Sequence, residues 1–320
     1  MNYIFPKRKN AHECQANALI KDEGVEDSLD LELAHIFGRT AFHKRNNIFI
    51  NLKGDIISYA GCQLVLIQKH KEKNTYKQDF IKIDSSPLTT NPEITAMEMS
   101  SDKHILYIGT TEKNAQLIVW NISTRTQLYS MPFKNIVEIS LVKVSETQSH
   151  AVLLALNQDA QRVMIFLNLP KKKVLACHTF RETAEIHGVQ FLPSQEFKFL
   201  FCGSRMVGEV SYQANLLSFE HYGIESPKDC MDSAVKTQVL SMTVFYSLIF
   251  LQEGAITSGS DGYLYLWQDK KIVKKQNAHP KAAILSLFTS KNSKIFVSGA
   301  VDGKAIVWQV SSNSIFQKKN

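Results

Sequence analysis

From Leu29 to about Phe316 the chain runs as short apolar/polar alternations broken by Gly, Asp, Asn and Ser. A period of two is the pattern of a strand, and those residue types punctuate turns. Near the C-terminus the pattern repeats itself almost word for word. Thr257-Ser258-Gly259-Ser260-Asp261-Gly262-Tyr263-Leu264-Tyr265-Leu266-Trp267 returns as Ser298-Gly299-Ala300-Val301-Asp302-Gly303-Lys304-Ala305-Ile306-Val307-Trp308. Trp267 and Trp308 stand 41 positions apart, as do Asp261 and Asp302. Asp-Gly suits a tight reversal between antiparallel strands, because Gly accepts positive φ and Asp bonds its own backbone. Leu264, Leu266, Ala305 and Val307 alternate with their neighbours, as in one strand of a stacked sheet.

A repeat of about 40–45 residues with a Ser/Thr-Gly strand, an Asp-Gly turn and a strand ending in Trp resembles a WD-repeat blade. The resemblance implies an all-β, WD40-type β-propeller. It also implies a buried hydrogen-bond chain of His, Ser/Thr, Asp and Trp. His279, Ser298, Asp302 and Trp308 match those four places, and the preceding repeat matches at Thr257, Asp261 and Trp267 without an obvious His. These residues are expected to be architectural, because a fully satisfied buried polar chain rigidifies a blade.

Weaker copies lie upstream. Ile94–Asp102, Ile105–Thr110 and Leu117–Trp120 make one blade, and Ser140–Ala155 with Val163–Phe166 makes the next. Val189–Pro193, Phe199–Gly203 and Val210–Tyr212 make another, degenerate at its Trp place. Third-strand ends fall near Leu66, Trp120, Phe166, Tyr212, Trp267 and Trp308, which gives about six to seven four-stranded blades. Spacings of about 46 residues stretch twice to about 54, as loop insertions would do. Residues 1–28 are polar and without periodicity and read as a flexible tail. The propeller is expected over 29–316, with an opening hydrophobic motif over about 29–68.

Among 320 residues, 44% are hydrophobic, enough for a large core. The net charge of +7 favours an acidic partner surface. Five cysteines, Cys14, Cys62, Cys177, Cys202 and Cys230, include no Cys-x-x-Cys pair. That disfavours zinc and a disulfide framework and points to a reducing compartment. The first residues lack a signal-peptide apolar core, and the greasiest run, Val239–Leu251, is too short and interrupted to span a bilayer. The expectation is a soluble intracellular protein with no membrane partner.

The opening motif resembles one known family. Phe37-Gly38-Arg39, Arg45-Asn46-Asn47-Ile48-Phe49-Ile50, Gly54 to Gly61 and Leu64-Val65-Leu66 are similar to the motif that opens the propellers of the echinoderm microtubule-associated protein-like family. Gly262–Trp267 followed by Ala278-His279 resembles a later blade of the same family, so the likeness covers about residues 29–310. It implies a non-catalytic partner of tubulin or axonemal proteins in the cytoplasm and cytoskeleton, the ciliary axoneme included. The alternative reading is a general scaffold that grips peptides of a signalling or assembly partner. Leu29, Leu31 and Leu33, followed by Ile36 and Phe37, are expected to pack between the propeller rim and a neighbour.

Two lysine clusters are the candidate contact residues: Lys171, Lys172 and Lys173, and Lys270, Lys271, Lys274 and Lys275. Both follow the third strand of their blade, so both are expected at one edge, where acidic tubulin tails would be attracted in a salt-sensitive way. The plainer explanation is a solvated hairpin. His178 and His187 lack a third ligand, so no metal site is expected. No Gly-x-x-x-x-Gly-Lys loop and no Gly-x-Ser-x-Gly elbow occurs, and no catalytic residue or cofactor is assigned. Nucleic acid is disfavoured because stacking aromatics are not interleaved with the basic residues.

Overall fold

The computed structural model describes residues 47–69, 75–83, 92–180, 185–223, 242–290, 294–311 and 314–318, all within the compact unit Phe37–Asn320. The expected tail and the first part of the opening motif, to residue 46, lie outside them.

Among the described residues six four-stranded meanders follow one another. The first is β1 (Phe49–Ile50), β2 (Ile56–Ala60), β3 (Gln63–Lys69) and β4 (Tyr76–Lys82). The second is β5 (Glu93–Met99), β6 (Ile105–Thr111), β7 (Gln116–Asn121) and β8 (Thr126–Pro132). The third is β9 (Ile136–Val144), β10 (His150–Asn157), β11 (Arg162–Asn168) and β12 (Lys173–Thr179), bridged to the second by the pair Thr111 and Glu138. The fourth is β13 (Ile186–Leu192), β14 (Gln195–Gly203), β15 (Met206–Gln213) and β16 (Leu216–His221). The fifth is β17 (Phe245–Leu251), β18 (Gly254–Gly259), β19 (Tyr263–Gln268) and β20 (Lys271–Asn277). The sixth is β21 (Ile284–Thr289), β22 (Ile295–Ala300), β23 (Ala305–Ser311) and β24 (Ser314–Lys318).

Every adjacent pair within a sheet is antiparallel. Leu66, Trp120, Phe166, Tyr212, Trp267 and Trp308 each fall in the third strand of their sheet, where the repeat placed them. Even the first, third and fourth copies, which lack a Trp, build four strands each.

Apolar faces of successive sheets pack into five cores. Leu64 and Leu66 of the first sheet meet Leu106 and Ile118 of the second. Leu117 and Val119 meet Leu153 and Ile165 of the third. Phe166 meets Phe199 and Phe201 of the fourth, Cys202 meets Phe245 and Trp267 of the fifth, and Leu266 meets Phe296 and Trp308 of the sixth. Because the middle sheets are covered on both faces, their central strands lose alternation. Ala151 to Ala155 of β10 are buried without a break, as expected of strands sandwiched between layers. Full burial of a side chain such as Phe201 is worth roughly 1.5–3 kcal/mol.

The sixth sheet shows where that burial stops. Ile249, Ile256 and Leu266 form a cross-strand row in the fifth sheet, buried against the sixth. The corresponding row in the sixth sheet is Phe288, Val297 and Val307. There Phe288 is 70% exposed and Val307 36% exposed. Among the described residues no apolar core joins this face to the first sheet.

Candidate functional site

The antiparallel meander puts every hairpin between a third and a fourth strand at one end of its sheet. The four such hairpins among the described residues turn through residues with positive φ: Arg125 at 57°, Lys172 at 50°, Ala214 and Asn215 at 49° and 63°, and Asp269 and Lys270 at 46° and 65°. Paired positive-φ residues are the two-residue turn that matches strand twist. Lys171 and Lys172 occupy the turn before β12, and Lys270 the turn before β20. The two lysine clusters therefore sit at equivalent places on the same rim.

The side chains are differently employed. Lys171, Lys173 and Lys271 are exposed. The Lys172 ammonium lies 4.5 Å from the ring centre of Tyr129, on the neighbouring sheet. Lys270 reaches Glu220 of the fourth sheet at 2.6 Å, and that carboxylate holds its ammonium above the ordinary lysine value. Lys274 and Lys275 are not in the hairpin at all. Both lie along β20, and Lys275 is 3.8 Å from the Tyr263 ring centre and 3.6 Å from the Asp261 carboxylate. Fourth strands are sheet edges, and lysine there also discourages edge-to-edge pairing. The outward-facing basic set is thus Lys171, Lys173 and Lys271, whereas Arg125 of the β7–β8 hairpin is engaged by Asp79 at 3.0 Å.

The predicted polar chain is present in the sixth sheet. His279 Nδ1 lies 3.2 Å from Asp302, His279 Nε2 lies 3.0 Å from Ser298 Oγ, and the Trp308 indole donates to Ser298 Oγ over 2.9 Å. The Lys304 backbone N–H and His279 together hold the Asp302 carboxyl below its ordinary value. In the fifth sheet the Trp267 indole donates to Thr257 Oγ1 over 2.8 Å. Among the described residues no histidine completes that chain. Instead the Tyr265 hydroxyl donates to Asp261, and burial together with that carboxylate pushes the phenol far above its ordinary value. Nothing in the spacing of Tyr265 marked it for this role.

One Ser–His–Glu group occurs on the fourth sheet. Ser204 Oγ is 3.5 Å from His187 Nε2, and Glu185 is 3.7 Å from the same nitrogen. A triad needs its carboxylate on the opposite ring nitrogen, to orient the imidazole for the hydroxyl. This group does not have that arrangement. Among the described residues no three His, Cys, Asp or Glu side chains cluster as a metal site would require.

Residues 270–309 match the family described as WD domain, G-beta repeat. No curated protein matches the chain. Among solved structures it is similar to the β-propeller domain of Cps50 (Swd1) from Myceliophteria thermophila, at 12% identity and a TM-score of 0.58 over 72% of each chain. It is also similar to the WD40 β-propeller domain of Doa1, at 10% identity and a TM-score of 0.59, over 86% of this chain and 81% of that one. At such identities the likeness shows the fold. The protein is an all-β WD40-type β-propeller, a class that generally serves as a non-catalytic scaffold for other proteins.

Proposed function

We propose that this propeller is a microtubule-associated scaffold, acting without catalysis in the cytoplasm and cytoskeleton, including the axoneme of cilia. The observation that carries the reading is the placement of Lys171, Lys173 and Lys271 in equivalent hairpins and edge strands of one rim. The +7 net charge adds long-range attraction for the acidic, flexible tails of tubulin. The likeness of the opening motif to the echinoderm microtubule-associated protein-like family supports the same partner. Such contacts are exposed, so they act mainly through steering and weaken with salt.

Co-sedimentation with stabilised microtubules at low and physiological salt tests the proposal. The wild-type chain should pellet at low salt and less at high salt. Reversal of Lys171, Lys173 and Lys271 to Glu should abolish pelleting while leaving the thermal unfolding midpoint in place. A chain that stays in the supernatant at low salt, or a triple variant that pellets like wild type, would overturn it.

A further inference from the structure

Where the first two sheets meet, three loops enclose a cleft of about 140 Å³. The β1–β2 loop brings Leu52 and Lys53, the β5–β6 turn brings Lys103 and His104, and the β7–β8 hairpin brings Arg125. Leu66 and Ile122 supply an apolar floor, and Leu52 stands 62% exposed at the edge. Sites for nucleotides and drug-sized ligands run to roughly 300–1,000 Å³, so this one has room for side chains instead.

Its walls are set before anything enters. Asn51 is buried, and its Oδ1 accepts from the backbone N–H groups of Lys53 and Asp55, both over 2.9 Å. Its Nδ2 donates to Asp55 over 2.9 Å, and Gln68 donates to the same carboxylate oxygen over 3.4 Å. On the second sheet Asp102 accepts from Ser100, from the His104 backbone N–H and from Gln148. His104 Nδ1 is 3.2 Å from Ser123 Oγ. Asp79 faces Arg125 at 3.0 Å and Lys77 at 2.9 Å.

The three acids near the cleft are therefore held by groups of the protein itself. Lys53 and Lys103 flank an apolar floor, with His104 beside them and Arg125 already paired with Asp79. Charge complementarity calls for carboxylates, and the floor calls for one large aliphatic group between them.

We infer that the seam between the first two sheets is a docking site for a short acidic peptide segment, which inserts one aliphatic side chain between flanking carboxylates. The cleft shares no residue with the lysine set of the proposed microtubule contact, so the two stand or fall separately.

The test is fluorescence anisotropy of a short labelled peptide of alternating glutamate and leucine, titrated with the full chain. Binding should weaken about fivefold or more in Lys103→Glu, hold in Lys103→Arg, and weaken in Leu52→Ala, whose side chain is exposed and whose loss leaves the thermal midpoint unchanged. Lys171→Glu should leave it alone. The site is overturned if the peptide binds wild type and Lys103→Glu equally, or does not bind at all. It is also overturned if an all-glutamate peptide binds as well, which would make the effect diffuse charge. Preference for a phosphoserine–leucine peptide would assign phosphate as the ligand and overturn the carboxylate assignment.

Discussion

The Ser298 hydroxyl accepts the Trp308 indole N–H over 2.9 Å and faces His279 Nε2 at 3.0 Å on its other side. The carboxylate of Asp302 is an acceptor only, so His279 Nδ1 carries the hydrogen that reaches it. In the neutral imidazole Nε2 is then an acceptor and takes the hydroxyl proton of Ser298. The chain runs in one direction, Trp308 to Ser298 to His279, with the other imidazole nitrogen donating to Asp302. Ser298, His279 and Trp308 are all nearly inaccessible to solvent. Ser298→Ala removes the hydroxyl that both the indole and the imidazole face, and should destabilise by about 1–3 kcal/mol. Thr257→Val in the fifth sheet strands only the Trp267 donor and should cost less. Urea titrations of the two variants decide the point, and equal losses would mean that the relay adds nothing.

Glu98 and Lys143 form an ion pair of 2.6 Å between the inner strands of the second and third sheets. Burial pushes the Glu98 carboxyl above its ordinary value, and the Lys143 ammonium opposes that rise. A carboxyl whose folded pKa is raised binds its proton more tightly in the native state. Its contribution to stability therefore falls as pH climbs from the ordinary carboxylate value through the raised one. Lys143→Met removes the opposing charge and should cost about 3–5 kcal/mol at pH values where Glu98 is ionised. Urea titrations of this variant at mildly acidic and mildly alkaline pH should show a deficit that shrinks on acidification, as Glu98 takes up a proton. A deficit independent of pH would show that packing, not charge, sets the cost.

How much of this could be read from the chain depends on where each signal resides. The last two sheets were legible because Asp-Gly, the hydroxyl and the Trp lie within a dozen positions of one another. The second sheet keeps Trp120, but Ile108 stands where Thr257 and Ser298 stand in their sheets, so Trp120 and its apolar strands alone betrayed it. The fourth sheet lost the Trp as well, and its apolar strands alone sufficed. Lys274 and Lys275 looked continuous with Lys270 and Lys271, yet a strand carries them away from the hairpin. Tyr265 was opaque because its partnership with Asp261 replaces a residue type that the repeat normally supplies. The cleft was opaque for another reason: Lys53, Lys103 and Arg125 come from three separate loops and meet only when two sheets pack.

The β15–β16 hairpin turns through Ala214 and Asn215, both at positive φ. Asn tolerates that conformation, whereas Ala presents its Cβ to the carbonyl at a cost of roughly 1–2 kcal/mol. Glycine removes the clash but loses more freedom on folding. Ala214→Gly should therefore stabilise the protein by about 0.5–1 kcal/mol net, read as a higher urea midpoint with an unchanged slope. A lower midpoint would mean that chain entropy outweighs the strain.

Gly262 and Gly303 hold the same place in the repeated motif, with φ of 83° and 75°. Their surroundings differ. A Cβ on Gly303 would meet nothing within 4 Å, while one on Gly262 would come 2.0 Å from the His279 carbonyl oxygen. The Gly262 carbonyl also accepts the backbone N–H groups of Ala278 and His279, at 3.1 and 3.0 Å, so the two segments cannot separate without breaking those bonds. Gly303→Ala should cost only the conformational strain, about 1 kcal/mol. Gly262→Ala adds a backbone collision to that strain and should cost more than about 3 kcal/mol. Thermal unfolding of the pair reads the difference directly. Similar midpoints would show that the segment around His279 yields easily, and that this turn is held more loosely than its hydrogen bonds imply.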